Sequence, residues 1–241
     1  MNIEPEKTEA YSINVEDAAH IPDLVALTQE LGQYKPVIIG LDHQEEPHAM
    51  RGRYESTGDL IAGEEVYRRP DGGHTVFSDD SKYALTFGLP VEPFESKNAD
   101  TLTEGVHDFI DDRTDQCFQR GARDLYTGGD QIVGVSQRLK GDSAVVRAYW
   151  AEDLPEVYGL MYRDGFSDEE MNRHQRAMEK STEILGGQDF YKTVMEEFGV
   201  EETQDSGEFL RAHGIEPGTL SEQLLEEEGK RERKACFLER G

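Results

Sequence analysis

The chain has 241 residues, with 51 Asp and Glu against 25 Lys and Arg, for a formal net charge of −26. That length fits one large domain able to bury a core. The charge excludes simple nucleic-acid binding, because a polyanion repels another unless its basic residues are segregated, and along this sequence they are spread thinly. Only nine of the 25 basic residues are lysines. An acidic, lysine-poor surface suits a salt-accumulating cytosol, where salt screens the self-repulsion, so a halophilic protein is expected. No apolar run reaches the roughly 18 residues of a membrane span, and the first residues carry neither the basic nor the apolar part of a secretory signal. Two cysteines, Cys117 and Cys236, are too few for a disulfide framework. A cytoplasmic protein away from membranes is the expectation.

Residues 1–10 read as a polar tail. Over 15–31, Ile21, Leu24, Val25, Leu27 and Leu31 recur at helical spacing. Val37 to Leu41 is a short β-branched run, hence a buried strand. Residues 42–58 have no period and read as a long loop. A Pro-Asp-Gly-Gly turn at 70–73 precedes a strand at 75–77, and 83–89 alternates as a second strand. Residues 98–112 form a helix candidate with a capping box at Thr101 and Glu104.

Residues 124–150 look like a three-stranded meander. Its first turn holds Gly128-Gly129, which supplies the positive φ of a tight hairpin. Helices follow over 168–185, opened by a second box at Ser167 and Glu170, and over 189–198. The first of these presents an acidic solvated face, with Met171, Met178 and Leu185 at core spacing. Residues 201–241 are charged, with short helical stretches near Phe209 and Leu224. Hairpin-grouped strands flanked by helices give an α+β fold with a largely antiparallel sheet. Neither a dinucleotide fingerprint nor a P-loop occurs.

Two segments could carry chemistry. In Arg68-Arg69-Pro70-Asp71-Gly72-Gly73-His74, paired arginines meet a turn whose glycines let backbone N–H groups approach a ligand, a combination suited to a carboxylate or phosphate. Taken alone it reads first as an ordinary hairpin turn flanked by surface arginines. In Gln131-Ile132-Val133-Gly134-Val135-Ser136-Gln137-Arg138 the plain reading is a strand with solvent-facing polar positions. His43 and His48 lie near each other, but no cysteine or carboxylate spacing completes a metal site. No metal is expected, and the two histidines read as solvent-facing or packing residues.

In this order and at this distance, the two segments resemble motifs of the lipoate–protein ligase and octanoyltransferase family, which is related to the biotin protein ligases. The family's Arg-Arg-x-[Ser/Thr]-Gly-Gly-Gly loop would be residues 68–74. Its Lys-[Ile/Val]-x-Gly-x-[Ser/Ala]-Gln-Arg strand would be 131–138. Val37-Ile38-Ile39-Gly40-Leu41-Asp42-His43-Gln44 looks like the strand that ends in Gly-x-x-Gln, and Gly121-Ala122-Arg123-Asp124-Leu125 looks like the segment before the lysine strand. The resemblance covers about 15–200 and implies a catalytic domain over 11–200, with an acidic helical extension over 201–241.

The fold implied is a mixed, mostly antiparallel sheet flanked by helices, like a class II synthetase or biotin ligase. Ligases of this type make an acyl-adenylate from ATP and pass the acyl group to a lysine. Transferases of this type take octanoyl from acyl carrier protein, some through a cysteine. The implied substrates are lipoate or octanoate, with ATP for a ligase and no permanently bound cofactor. The implied partner is a lipoyl carrier domain or a glycine-cleavage carrier protein. Residues 201–241 are too few for the accessory domain of long ligases, so a separate accessory subunit joins the expected partners.

By the same resemblance, Arg68, Arg69, Gly72, Gly73 and His74 form the carboxylate or phosphate end of the site, and Gln131, Gly134, Ser136 and Gln137 line the facing strand. Three positions depart from the pattern: Gln131 replaces the lysine, Asp71 and His74 replace Ser/Thr and the third glycine, and Ser78-Asp79 replaces His-Asp. An amide can still donate a hydrogen bond, but it brings no charge to developing negative charge. A carboxylate at 71 needs compensation from Arg68, Arg69 or a metal. The lost lysine gives the other reading, a family member that binds an acyl cofactor or carrier without turnover. Cys117, in Gln116-Cys117-Phe118, matches the position of the nucleophile of cysteine-type octanoyltransferases, and reads otherwise as a small buried side chain. Gly121 to Asp124 fits the ligase branch.

Overall fold

The structure, a computed structural model, describes residues 3–44, 46–53, 66–72, 75–91, 99–114, 118–121, 123–153 and 167–224. Eleven strands and five α-helices lie among them: β1 (Glu9–Val15), α1 (Ile21–Leu31), β2 (Val37–His43), β3 (His48–Arg51), β4 (Val66–Arg68), β5 (Val76–Ser78), β6 (Lys82–Pro90), α2 (Ala99–Asp111), β7 (Gln119–Arg120), β8 (Leu125–Thr127), β9 (Asp130–Lys140), β10 (Ser143–Ala151), α3 (Asp168–Leu185), α4 (Gln188–Glu197), β11 (Thr203–Asp205) and α5 (Ser206–Ala212).

Eight strands form one sheet in the order β11-β1-β2-β6-β10-β9-β8-β7. The β11–β1 and β1–β2 pairs are parallel and the other five are antiparallel. The sheet is therefore mixed and mostly antiparallel, with helices on both faces. A second sheet, β4-β3-β5, has three short strands.

Alternation along the strands separates two cores. Ile38, Leu85, Phe87, Val146 and Ala148 point to the face covered by α2, α3 and α4, where Val106, Phe109, Leu185, Val194 and Met195 pack on them. Val37, Ile39, Leu41, Ala84 and Val145 point to the opposite face, under Leu24, Val25 and Leu27 of α1 and Phe209 and Leu210 of α5. Glycines set the closest approaches. A Cβ on Gly88 would lie 2.0 Å from the Thr28 carbonyl oxygen of α1, and one on Gly40 would lie 2.7 Å from Met195 Sδ of α4.

The meander is as expected. Gly128 and Gly129, at φ 61° and 89°, make the β8–β9 turn. Some elements differ. Residues 9–15 form β1, and Ile3 packs into the first core, so the N-terminal residues belong to the domain. Within 42–58 lies β3, whose four residues are all buried. The second helix begins at Ala99, which puts Thr101 inside it rather than at its cap. On α3 the buried positions are Ala177, Ser181 and Leu185, while Met171 and Met178 are half-buried. Residues 203–212 enter the main sheet and the second core. Asp23 of α1 then accepts from the N–H groups of Gly218 (2.8 Å) and Leu220 (3.0 Å), tying the chain to the domain through that turn. Among the described residues no helix is long and apolar enough to cross a membrane.

Candidate functional site

The site is on the face shared with α1, where the three-stranded sheet closes over β9, β10 and β6. The arginine turn forms its edge. Arg69 N–H continues the β3–β4 ladder by donating to the Arg51 carbonyl (2.9 Å), Arg53 N–H donates to the Asp71 carbonyl (2.9 Å), and Gly72 N–H donates to the Gln137 carbonyl of β9 (3.2 Å). The two segments singled out in the sequence are thus joined directly, backbone to backbone.

Arg68 and Arg69 hold this turn together. Arg68 Nη1 donates to the carbonyls of Gly52 (2.7 Å) and Arg53 (2.8 Å). Arg69 is 1% exposed. Its Nη1 donates to the Met50 carbonyl (2.8 Å), its Nη2 to the Gly72 carbonyl (3.1 Å), and its Nε lies 3.2 Å from Asp71 Oδ2. The compensation that a buried carboxylate requires therefore comes from Arg69. Gly73, His74 and Cys117 lie outside the described residues.

On β9 the expected residues separate. Gly134 and Ser136 face the site. The Gln137 side chain faces the other way and accepts from Thr103 Oγ1 of α2 (2.6 Å), so Gln137 reaches the turn only through its backbone. Between Leu125 and Tyr126 the β8–β9 register slips by one residue, and Ile132 and Val133 both enter the first core. Such a bulge returns Gln131 to the face of Gly134, where its side chain is exposed at the open end. Asp124 caps the irregularity by accepting from Val135 N–H (2.8 Å).

The charge at the centre comes from residues that motif reading missed. Arg147 of β10 stands between Thr86 of β6 and Ser136 of β9 in one cross-strand row. All three are buried, and among the described residues the hydroxyls of Thr86 and Ser136 make no hydrogen bond. In the next row Tyr149 stands between Ala84 and Gly134. Its ring lies across Gly134, where a Cβ would come within 2.2 Å of it. Lys82, 6% exposed, starts β6 on the same face and holds its ammonium 5.0 Å from the centre of the Tyr149 ring. Burial pushes the Tyr149 hydroxyl up to about 12, while Arg69 and Arg147 act in the opposite direction.

His43 links the layers. Arg147 Nη2, which can only donate, lies 3.2 Å from His43 Nε2, so His43 Nδ1 donates to Ser78 Oγ of β5 (3.3 Å). His43 and His48 are both fully buried, not solvent-facing. Ser78 of β5 is thus bonded to an imidazole from β2. Among the described residues no group of three or more His, Cys, Asp and Glu is placed to hold a metal.

Five buried basic side chains, Arg51, Arg68, Arg69, Lys82 and Arg147, occur among the described residues, against two buried carboxylates, Asp23 and Asp71. Asp23 is engaged by the N–H groups of Gly218 and Leu220. Basic charge that looks dispersed in the sequence is segregated in the interior, at the site. The signal was present: Lys82 and Thr86, and Arg147 and Tyr149, interrupt apolar strands at even spacing, which places them on one buried face.

Neither a family model nor a curated protein matches the sequence. Solved structures do match. A candidate lipoate protein ligase from T. acidophilum superposes with a TM-score of 0.54 at 9% identity, over 79% of this chain and 95% of that one. Lipoate-protein ligase A bound with ATP gives 0.53 at 10% identity, over 81% and 100%. The bi-partite archaeal lipoate protein ligase from Thermoplasma acidophilum, solved in a study of that enzyme and its E2 lipoyl domain, gives 0.51 at 10% identity, over 82% and 87%. The mixed, mostly antiparallel sheet with helices on both faces therefore matches the fold of these lipoate–protein ligases.

Proposed function

We propose that the protein is a lipoate–protein ligase, which activates lipoate or octanoate with ATP and passes the acyl group to a lysine of a lipoyl carrier domain. The observation that carries this reading is the buried Thr86–Arg147–Ser136 row beside Lys82, in which two hydroxyls without a hydrogen bond among the described residues flank a guanidinium in a chain of net charge −26. Such a row seats an anion, since buried polar groups without partners are costly and charge-assisted hydrogen bonds are strong. Similarity of fold to a ligase bound with ATP and to a ligase studied with its lipoyl domain supports the choice of anion and partner.

In the first step a carboxylate oxygen of the acid attacks the α-phosphorus of ATP, and the bond to the departing pyrophosphate breaks. In the second, the carrier amine attacks the acyl carbon, the bond to AMP breaks, and the amine proton is released. Negative charge grows on oxygens in both steps, and fixed cations in a water-poor site stabilise it. A separate small subunit is part of the proposal, because the bi-partite ligase shares the fold.

The test is exchange of labelled pyrophosphate into ATP, dependent on lipoate or octanoate, at molar salt. Exchange that requires the acid supports the ligase. Transfer from an acyl carrier protein that needs no ATP and is lost in Cys117→Ser overturns it in favour of a thioester route. The second reading, acyl or carrier binding without turnover, is favoured by the uncharged, exposed Gln131. It predicts binding of octanoate with no exchange.

A further inference from the structure

We propose that Thr103 of α2 and Gln137 of β9 are a pair of positioning residues, which hold the arginine turn and Ser136 in place from the far face of the sheet. The inference rests on the ligase reading only for what the site binds, and on geometry alone for the pair.

Gln137 is out of keeping with its row. Strand pairing sets it in line with Val146, Phe87 and Ile38, and those three belong to the first core. From α2, Leu102, Val106, Phe109 and Ile110 join the same core. At this apolar contact the sequence sets a hydroxyl against an amide: Thr103, 1% exposed, donates to Gln137 Oε1 (2.6 Å). Two apolar side chains would pack there without desolvating polar groups. What the hydrogen bond adds is direction, because hydrophobic contact is non-directional and a donor and its acceptor must stay aligned.

The backbone of Gln137 faces the edge of the site. β8 pairs with β9 only as far as Val133. Beyond it, the β9 backbone is engaged from that side by two contacts: Asp124 accepts from Val135 N–H (2.8 Å), and the Gln137 carbonyl accepts from Gly72 N–H (3.2 Å). The Gly72 carbonyl in turn accepts from Arg69 Nη2 (3.1 Å). One carbonyl of β9 thus carries the end of the arginine turn. Ser136, the residue before it, points to the opposite face and stands beside Arg147 in the site. A rotation of β9 at residue 137 moves a site hydroxyl and the arginine turn together. The bond from Thr103 is placed to prevent that rotation.

The experiment uses the full chain at molar salt and four proteins: wild type, Thr103→Ser, Thr103→Val, and Thr103→Val combined with Gln137→Met. Replacing both partners by apolar side chains of similar shape is close to neutral for stability, so the double variant satisfies a pair that serves packing alone. Three quantities are read: the melting temperature, the hydrogen-exchange rate of the Gly72 amide, and acid-dependent pyrophosphate exchange into ATP. The Gly218 amide, held by Asp23 of α1, is the reference for hydrogen exchange. The double variant should melt near wild type, yet its Gly72 amide should exchange about tenfold faster while Gly218 is unchanged. Its kcat/KM for octanoate should fall by about tenfold. Thr103→Ser, which keeps the hydroxyl, should match wild type in both. A folded double variant with a wild-type Gly72 amide overturns the inference, as does one whose turn has loosened while kcat/KM is unchanged. Thr103→Ser behaving like Thr103→Val also overturns it.

If the double variant fails to fold, Thr103→Val is read against Thr103→Ser below its melting temperature, with the same outcomes. If Thr103→Val fails as well, hydrogen exchange of wild type in rising denaturant decides. Gly72 should then open together with the amides of α2, and a Gly72 amide that opens well before α2 overturns the inference. If wild type shows no pyrophosphate exchange with any acid, the ligase reading falls and the Gly72 amide decides alone: faster hydrogen exchange in the double variant sustains the inference, and an equal rate overturns it.

Discussion

One alanine methyl placed at Gly88 and the same methyl placed at Gly134 should cost different amounts, because different neighbours must move. At Gly88 the new Cβ meets the Thr28 carbonyl oxygen at 2.0 Å and Gly32 Cα at 3.1 Å. Ordinary contacts need about 3.5 Å, so helix α1 must retreat by more than an ångström. The strand cannot yield instead, since Gly88 is paired with Val37 on one side and Val145 on the other. The cost should lie at or above the top of the usual overpacking range, about 3 kcal/mol. At Gly134 the obstacle is the far end of the Tyr149 ring, at 2.2 Å for Cε2 and 2.8 Å for the hydroxyl. A ring can swing, so about 1–2 kcal/mol is expected.

At roughly 2–4 °C per kcal/mol for a chain of this size, thermal unfolding should show a drop of about 6–12 °C for Gly88→Ala and about 2–8 °C for Gly134→Ala. Activity should reverse the order among molecules that remain folded. Gly134→Ala displaces the ring under Lys82 and impairs turnover, while folded Gly88→Ala keeps the site. A Gly134→Ala protein less stable than Gly88→Ala, or one with normal turnover, would refute the reasoning.

Three further outcomes are expected. Arg69→Met should cost about 3–5 kcal/mol, because it strands the buried Asp71 carboxylate. Combining it with Asp71→Asn should recover part of that in chemical denaturation, and strict additivity would contradict the pairing. His107, buried on α2 with Nε2 against the Arg123 carbonyl, has its pKa lowered chiefly by burial. Its unfolded form binds a proton more readily, so its contribution to stability is present above the unfolded value near 6.5 and is lost as pH falls from there through the lower folded value. Denaturant midpoints between pH 7.5 and 5 should fall more steeply in wild type than in His107→Gln. With a net charge of −26, melting temperature should drop between molar and tens-of-millimolar salt, and a flat profile would argue against a halophilic surface.

The sequence revealed elements where one signal dominated. The run at Val37, the Gly128-Gly129 turn and the helix at Asp168 each announced themselves by β-branching, by φ requirement or by period. β3 did not, because His48-Ala49-Met50-Arg51 carries no alternation, and its burial comes wholly from the sheet that folds over it. β1 was hidden by Ser12 and Asn14; the polarity of Ser12 is answered by distant partners, its Oγ bonding Tyr191 and Thr203 (both 2.8 Å). The adjacency of the arginine turn and β9 was legible from the ordered motifs. The division of labour within them was not. Arg68 and Arg69 bind backbone carbonyls that only the three-stranded sheet brings near, and Arg147 and Lys82 belong to strands that pair β9 and β2 with segments remote in sequence.

The most direct test of the whole account is the mass of an apo-lipoyl domain after incubation with this protein, ATP and lipoate or octanoate at molar salt. The account predicts one acyl group added to a single carrier lysine, with AMP and pyrophosphate released in equal amount. A carrier whose mass stays unchanged with every acid, in the presence of ATP and folded protein, would contradict it.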